Sequence, residues 1–153
     1  MKPLESSLHQ LRMFVLIAAV VAACGCSNAK DNYLMGLEPQ LQGLANVWAS
    51  LNQFPTSAEC DELQARLDQI DKKLQELKGP PSCQVLHDLA LESLTLQREE
   101  LVTKRALASL EEAQEINTEA GRKELAALAA QSKATAKKMF ELSRKLQGQL
   151  NDL

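Results

Sequence analysis

Six side chains of this 153-residue chain are of types that do metal, thiol or nucleophile chemistry: Cys24, Cys26, Cys60, Cys83, His9 and His87. Cys83 and His87 lie four apart, on one face of a helix, a spacing that can present two ligands to one metal. A complete site needs three or four ligands, and Cys60 is poorly placed to supply one. The metal reading therefore assigns no site and leaves Cys83 and His87 as weak candidates. The same pair fails as a nucleophilic dyad, because it has no evident orienting group or oxyanion hole. No phosphate loop, GxSxG elbow, HExxH helix or paired-carboxylate constellation stands out. The expectation is a non-enzyme with no catalytic residue and no cofactor.

Cys24 and Cys26 raise a different question, because they end the most apolar run of the chain. "MFVLIAAVVAA", Met13 to Ala23, follows a segment carrying Lys2 and Arg12. A bilayer-spanning helix needs about 20 apolar residues. This run is shorter and suits the central region of a secretory signal peptide, about 7–15 residues long.

The residues "Val21-Ala22-Ala23-Cys24" resemble the lipobox of bacterial lipoprotein precursors: an aliphatic residue, two small ones, then the cysteine. The resemblance implies a signal peptide over 1–23, a diacylglycerol on the Cys24 thiol, and a fatty acyl group such as palmitate on the new amine. Acyl chains contribute about 0.8 kcal/mol per buried CH₂, so two or more hold a protein on a membrane almost permanently. In the enterobacterial pattern an Asp after the cysteine favours retention in the inner membrane. Gly25 stands there instead, which implies an outer-membrane anchor facing the periplasm. Residues 24–32, with the small polar run "GCSNAKDN" after Cys24, read as a flexible tether.

The rest of the composition points to helices. Aromatic residues are 3% of the chain, and Gly and Pro number 6 and 5, while Ala, Leu, Gln, Glu and Lys abound. A net charge of −3 leaves no electrostatic footprint for nucleic acid. From about Tyr33 the pattern is helical, with Leu41, Leu44, Trp48 and Leu51 on one stripe and Pro39 read as a first-turn residue. Thr56-Ser57-Ala58-Glu59 has the form of a capping box. Behind it Cys60, Leu63, Leu67, Ile70, Leu74 and Leu77 make a heptad seam, which serves either a bundle within one chain or a seam between two. Gly79 and Pro80-Pro81 stop that helix, and Ser82 is placed to cap the next.

The segment from Val85 to Leu96 is apolar on more than one face, so it is read as the centre of the bundle. A break is expected near 117–122, with Gly121 a candidate bend, and a final stripe runs through Leu125, Leu128, Met139, Leu142, Leu146 and Leu153. Glu100–Lys104, Glu119–Lys123 and Glu141–Lys145 are read as exposed i, i+4 pairs. The fold expected for 33–153 is an all-α antiparallel bundle, or coiled-coil-like hairpins, of about four helices.

Cys60 and Cys83 flank the second helix. A straight helix over 57–78 holds them on the order of 30 Å apart, whereas a disulfide requires Cα atoms within about 7 Å. Interchain bonding, an intrachain bond with a rearranged helix, and free thiols remain as alternatives. The functional expectation is a lipid-anchored, non-enzymatic envelope protein that binds a protein partner, associates with itself or braces the envelope. The alternative is a small-ligand or metal-binding lipoprotein using the bundle interior. It resembles Braun-type murein lipoprotein only in being lipidated and helical. The C-terminal lysine of that family is not matched by Asn151-Asp152-Leu153, so its covalent link to peptidoglycan is not carried over.

Overall fold

The computed structural model describes residues 29–152. The Cys24 anchor, Cys26 and Leu153 lie outside the described residues. Four α-helices follow one another: α1 (Ala29–Leu51), α2 (Ser57–Glu76), α3 (Gln84–Glu112) and α4 (Glu119–Asn151). Single 3₁₀ turns at Pro81–Cys83 and Glu115–Asn117 lead into α3 and α4, and no strand occurs among the described residues. The expected all-α bundle of four helices is the observed fold.

Short connections make sequential helices antiparallel neighbours. Gly36 and Gly43 of α1 face Leu77 and Ile70 on the α2 side, so residue numbers rise on one strand of the pair as they fall on the other. Arg98 reaches Asp68 (2.7 Å) and Asp71 (2.9 Å), and Arg105 reaches Asp61 (2.7 Å), which sets α2 against α3. Ser132 donates to Glu100 across α3 and α4. The helices therefore run up, down, up, down.

Local signals explain most of the boundaries. The capping box at Thr56 forms: Glu59 N–H donates to Thr56 Oγ1 (3.3 Å) and Thr56 N–H donates to Glu59 Oε2 (2.8 Å). These hydrogen bonds from Thr56 to its carboxylate hold the Glu59 carboxyl below the ordinary range. Four boundaries differ from the sequence reading. The first helix begins at Ala29, not near Tyr33, which puts Pro39 in its interior. The amide that proline lacks would have served the Met35 carbonyl, and Met35 is solvent-exposed, so water can satisfy that group. Helix α2 ends at Glu76 with Leu77 extended, two residues ahead of the expected glycine stop. Gly79 instead admits the Tyr33 ring, which lies 2.8 Å from where a Cβ would stand. Ser82 does not cap α3. It sits inside a 3₁₀ turn, and Cys83 takes the cap position with no side-chain hydrogen bond. The break before α4 falls at Ala113–Thr118, where Gln114 adopts a left-handed φ of 56°.

The core depends on α3. Its buried residues include Leu86, Leu89, Ala90, Leu94, Leu96, Leu101, Ala108 and Leu110, and at ~100° per residue they span roughly 200° of its circumference. One neighbour cannot cover such an arc. Helices α1 and α2 pack on one side and α4 on the other, contributing Leu37, Leu44, Leu67, Leu74, Met139, Leu142 and Leu146 to one continuous cluster. The wide apolar face read over 85–96 thus marks the central helix, although Val85 itself is exposed. The final stripe is buried only from Thr135 onward, and Leu125 reaches solvent.

Gly121 belongs to the first turn of α4. Thr118 Oγ1 accepts its N–H at 2.9 Å, and an added Cβ would collide with the Glu115 carbonyl. A methyl group there must push backbone, not a flexible side chain. Gly121→Ala is expected to lower stability by about 1–3 kcal/mol. Gly148, also helical, has nothing within 4 Å of an added Cβ, so Gly148→Ala is expected to raise stability by about 0.5–1 kcal/mol. Urea denaturation of the two variants beside the parent checks both signs.

Candidate functional site

The two thiols that sequence singled out are buried and free, each at 0% exposure. Helix α2 runs unbroken between them, so Cys60 and Cys83 stand near its opposite ends and form no bond with each other. Burial pushes the Cys60 thiol up, which works against thiolate chemistry.

Cys83 and His87 are not joined by a third ligand. Among the described residues no group of three or more His, Cys, Asp and Glu side chains is placed to hold a metal. Tyr33 of α1 meets His87 instead, its hydroxyl sharing a 3.0 Å hydrogen bond with Nδ1. The ring is buried, and desolvation, with lesser contributions from Cys83 and Asp88, pushes the Tyr33 pKa up to about 12 from an ordinary 10.0. This trio is a structural lock between α1 and the start of α3.

Sequence reasoning missed a second polar feature. Glu100 and Lys104, read as a surface pair, are only 2% and 5% exposed. Helix α4 covers them. Lys104 Nζ lies 3.4 Å from Glu100 Oε1 and 4.5 Å from the centre of the Phe54 ring, a cation–π geometry. Ser132 Oγ donates to the same Glu100 oxygen at 2.5 Å. Gln97, Ser93, Thr103 and Thr135 are buried as well, and Gln97 Nε2 donates to Ser93 Oγ at 3.4 Å. Glu100 Oε2 and Gln97 Oε1 have no hydrogen-bond partner, so the layer is incompletely satisfied and costs stability.

A groove of 500 Å³ runs between α1 and α2. Gly43, Val47 and Ile70 make its floor, and Gln40, Asn46, Arg66, Gln69, Lys72 and Lys73 its walls. Gly43 is what lets the helices approach here, since a Cβ would stand 3.0 Å from Ile70 Cδ1. Every charged group on these walls is basic. On α2, Arg66, Gln69 and Lys73 fall on one flank of the heptad seam together with Glu59 and Glu62, while Asp61, Asp68 and Asp71 fall on the other. The acidic flank meets Arg98 and Arg105 of α3. Within the groove Arg66, Lys72 and Lys73 meet an α1 surface of amides and glycine, and Arg66 also lines an adjoining cavity with Glu59 and Glu62.

Phe54 is the other residue with no warning in the sequence. It sits in the α1–α2 turn with a left-handed φ of 54° and is 72% exposed. Such a backbone is costly for a bulky residue. Compared with known proteins, the chain matches no protein family, no curated protein and no solved structure.

Two measurements test these arrangements. Removing one member of the buried pair leaves the other uncompensated, so Glu100→Leu or Lys104→Met alone is expected to cost about 3–5 kcal/mol, while the double variant is neutral or more stable. A double-mutant cycle in urea reads this. Tyr33 is the only tyrosine in the chain, so absorbance at alkaline pH follows it alone. Its folded pKa is raised, so its contribution to stability is complete below pH 10 and is lost as pH rises through about 12. The phenolate is expected near pH 12 in the folded chain and near 10 in denaturant.

Proposed function

We propose that this is a lipid-anchored, non-enzymatic protein of the bacterial envelope that presents a helical bundle to a protein partner. The anchor rests on the resemblance of Val21-Ala22-Ala23-Cys24 to a lipobox, with Gly25 favouring the outer membrane. The first helix starts at Ala29, five residues beyond Cys24, so an acylated Cys24 would hold the bundle close to the bilayer. Along α1 the chain rises by roughly 35 Å at 1.5 Å per residue, and the α1–α2 turn would then face away from the membrane.

The observation that carries partner binding is Phe54 in that turn. This aromatic side chain is held in a costly backbone conformation, touches the buried Lys104 with one face and leaves most of its ring to solvent. Strain of this kind persists where function maintains it, and aromatic anchors dominate the energetics of protein contacts.

The experiment has two readouts. Mass spectrometry of the mature N-terminus is expected to find diacylglycerol and an acyl group on Cys24; an unmodified Cys24 overturns the anchor. A photocrosslinking residue at position 54 is expected to capture a specific envelope protein or a second copy of the chain. Capture must fall when Phe54→Asn is introduced beside a crosslinker at position 53. Asparagine tolerates the left-handed conformation but gives up the cation–π contact with Lys104, so circular dichroism confirms that the variant folds. Unchanged capture by the Phe54→Asn variant would remove Phe54 from the contact.

A further inference from the structure

We infer that the α1–α2 groove is a binding site for a single-chain amphiphilic anion, with a carboxylate or phosphate head group and one apolar tail. The floor is apolar, built by Gly43, Val47 and Ile70, with Arg66 and Lys73 toward its two ends and Lys72 beside them. Among the described residues Arg66 and Lys72 take part in no salt bridge, and Lys73 pairs only with the neighbouring Glu76 at 3.0 Å. Among the described residues no carboxylate lines the groove, although the chain as a whole carries a net charge of −3. The groove is thus a local basic stretch on α2, and Arg66 also lines an adjoining cavity with Glu59 and Glu62.

Size decides between a small ligand and a protein. The floor spans Gln40 to Val47 and Arg66 to Lys73, roughly 10 Å at 1.5 Å per residue. Its 500 Å³ falls in the range of small-molecule sites, about 300–1,000 Å³. A stable protein contact buries about 800 Å² on each partner. None of the large exposed apolar residues Met35, Phe54, Val85, Val102, Leu125 and Phe140 lines this groove, so it lacks the apolar surround that a docking protein needs. A guanidinium and two ammonium groups above a short apolar floor suit an anionic head and a tail laid along it. At one end the Asn46 amide can donate to the same head as Arg66, and at the other the Gln40 amide to the same head as Lys73. The site is a property of the helical domain and is independent of lipid on Cys24.

Photolabelling of the full chain in envelope membranes tests this. The probes are diazirine-bearing decanoic acid, the matching decyl phosphate and the matching decyl-trimethylammonium cation, each with an alkyne for capture. The acid, the phosphate or both are expected to label peptides from Gln40–Val47 and Arg66–Lys73, and free decanoate or decyl phosphate should compete. Which head labels better identifies the source of the anion. Arg66→Glu with Lys72→Glu is expected to reduce labelling roughly tenfold, since two attractions become repulsions and each 1.4 kcal/mol is a factor of ten. The charge-retaining Arg66→Lys with Lys72→Arg should keep it. Both pairs lie on exposed positions, and helicity by circular dichroism confirms that each variant folds. Equal labelling by the cationic probe, labelling that maps outside the groove, insensitivity to charge reversal, or competition by inorganic phosphate alone would each overturn the inference.

Discussion

The structure depends on one constraint: α3 must bury both of its sides at once. A helix with a single apolar stripe is satisfied by a hairpin. Helix α3 carries an arc of buried residues from Leu86 to Leu110 that no single neighbour can cover, and the hydrophobic effect therefore demands packing on two fronts. Helices α1 and α2 form one front, and α4 the other. The remaining features follow from keeping each front in register.

The two fronts are specified differently. Toward α2 the core seam is apolar, and the register is set by arginines of α3 meeting aspartates of α2 at the rim. These pairs are partly exposed, so each contributes little energy, but mispairing them would place like charges together. Toward α4 a polar layer interrupts the apolar surface, with Glu100, Lys104 and Ser132 at its centre. A buried ion pair is poor evidence for stability, and its better-attested use is to fix register. Only one alignment of α4 brings Ser132 to Glu100, and the long, Ala-rich first half of α4 offers few other features to set it.

Small and amide side chains on α1 explain why a groove exists at all. Helix α1 contributes Gly43, Asn46 and Gln40 where a charged or bulky residue would have closed the gap. Close approach at Gly43 brings the backbones together at the floor, while the longer side chains of α2 stand up along the wall. Arg66, Lys72 and Lys73 are thus left at the solvent side of a floor made by Val47 and Ile70. At the other end of the same helix pair, the turn places Phe54 over Lys104, so the exposed aromatic and the buried polar layer share one residue.

Periodicity and local chemistry in the sequence determined the helical class, the seam of α2, its capping box, the stop before Pro80 and the central place of α3. Those signals are legible because they act within a few residues: hydrophobic spacing, a side chain reaching its own backbone, a missing amide. The burial of Glu100 and Lys104 was not legible, because a Glu and a Lys four residues apart look alike whether water or α4 covers them. Nor was the interior position of Pro39, since local rules favour proline in a first turn and only packing against α2 and α3 sustains the turns before it. The left-handed backbone at Phe54 and Gln114, the 0% exposure of both thiols and the groove between α1 and α2 all depend on which surfaces meet. That choice belongs to the tertiary structure, because burial is a property of neighbours and not of spacing along the chain.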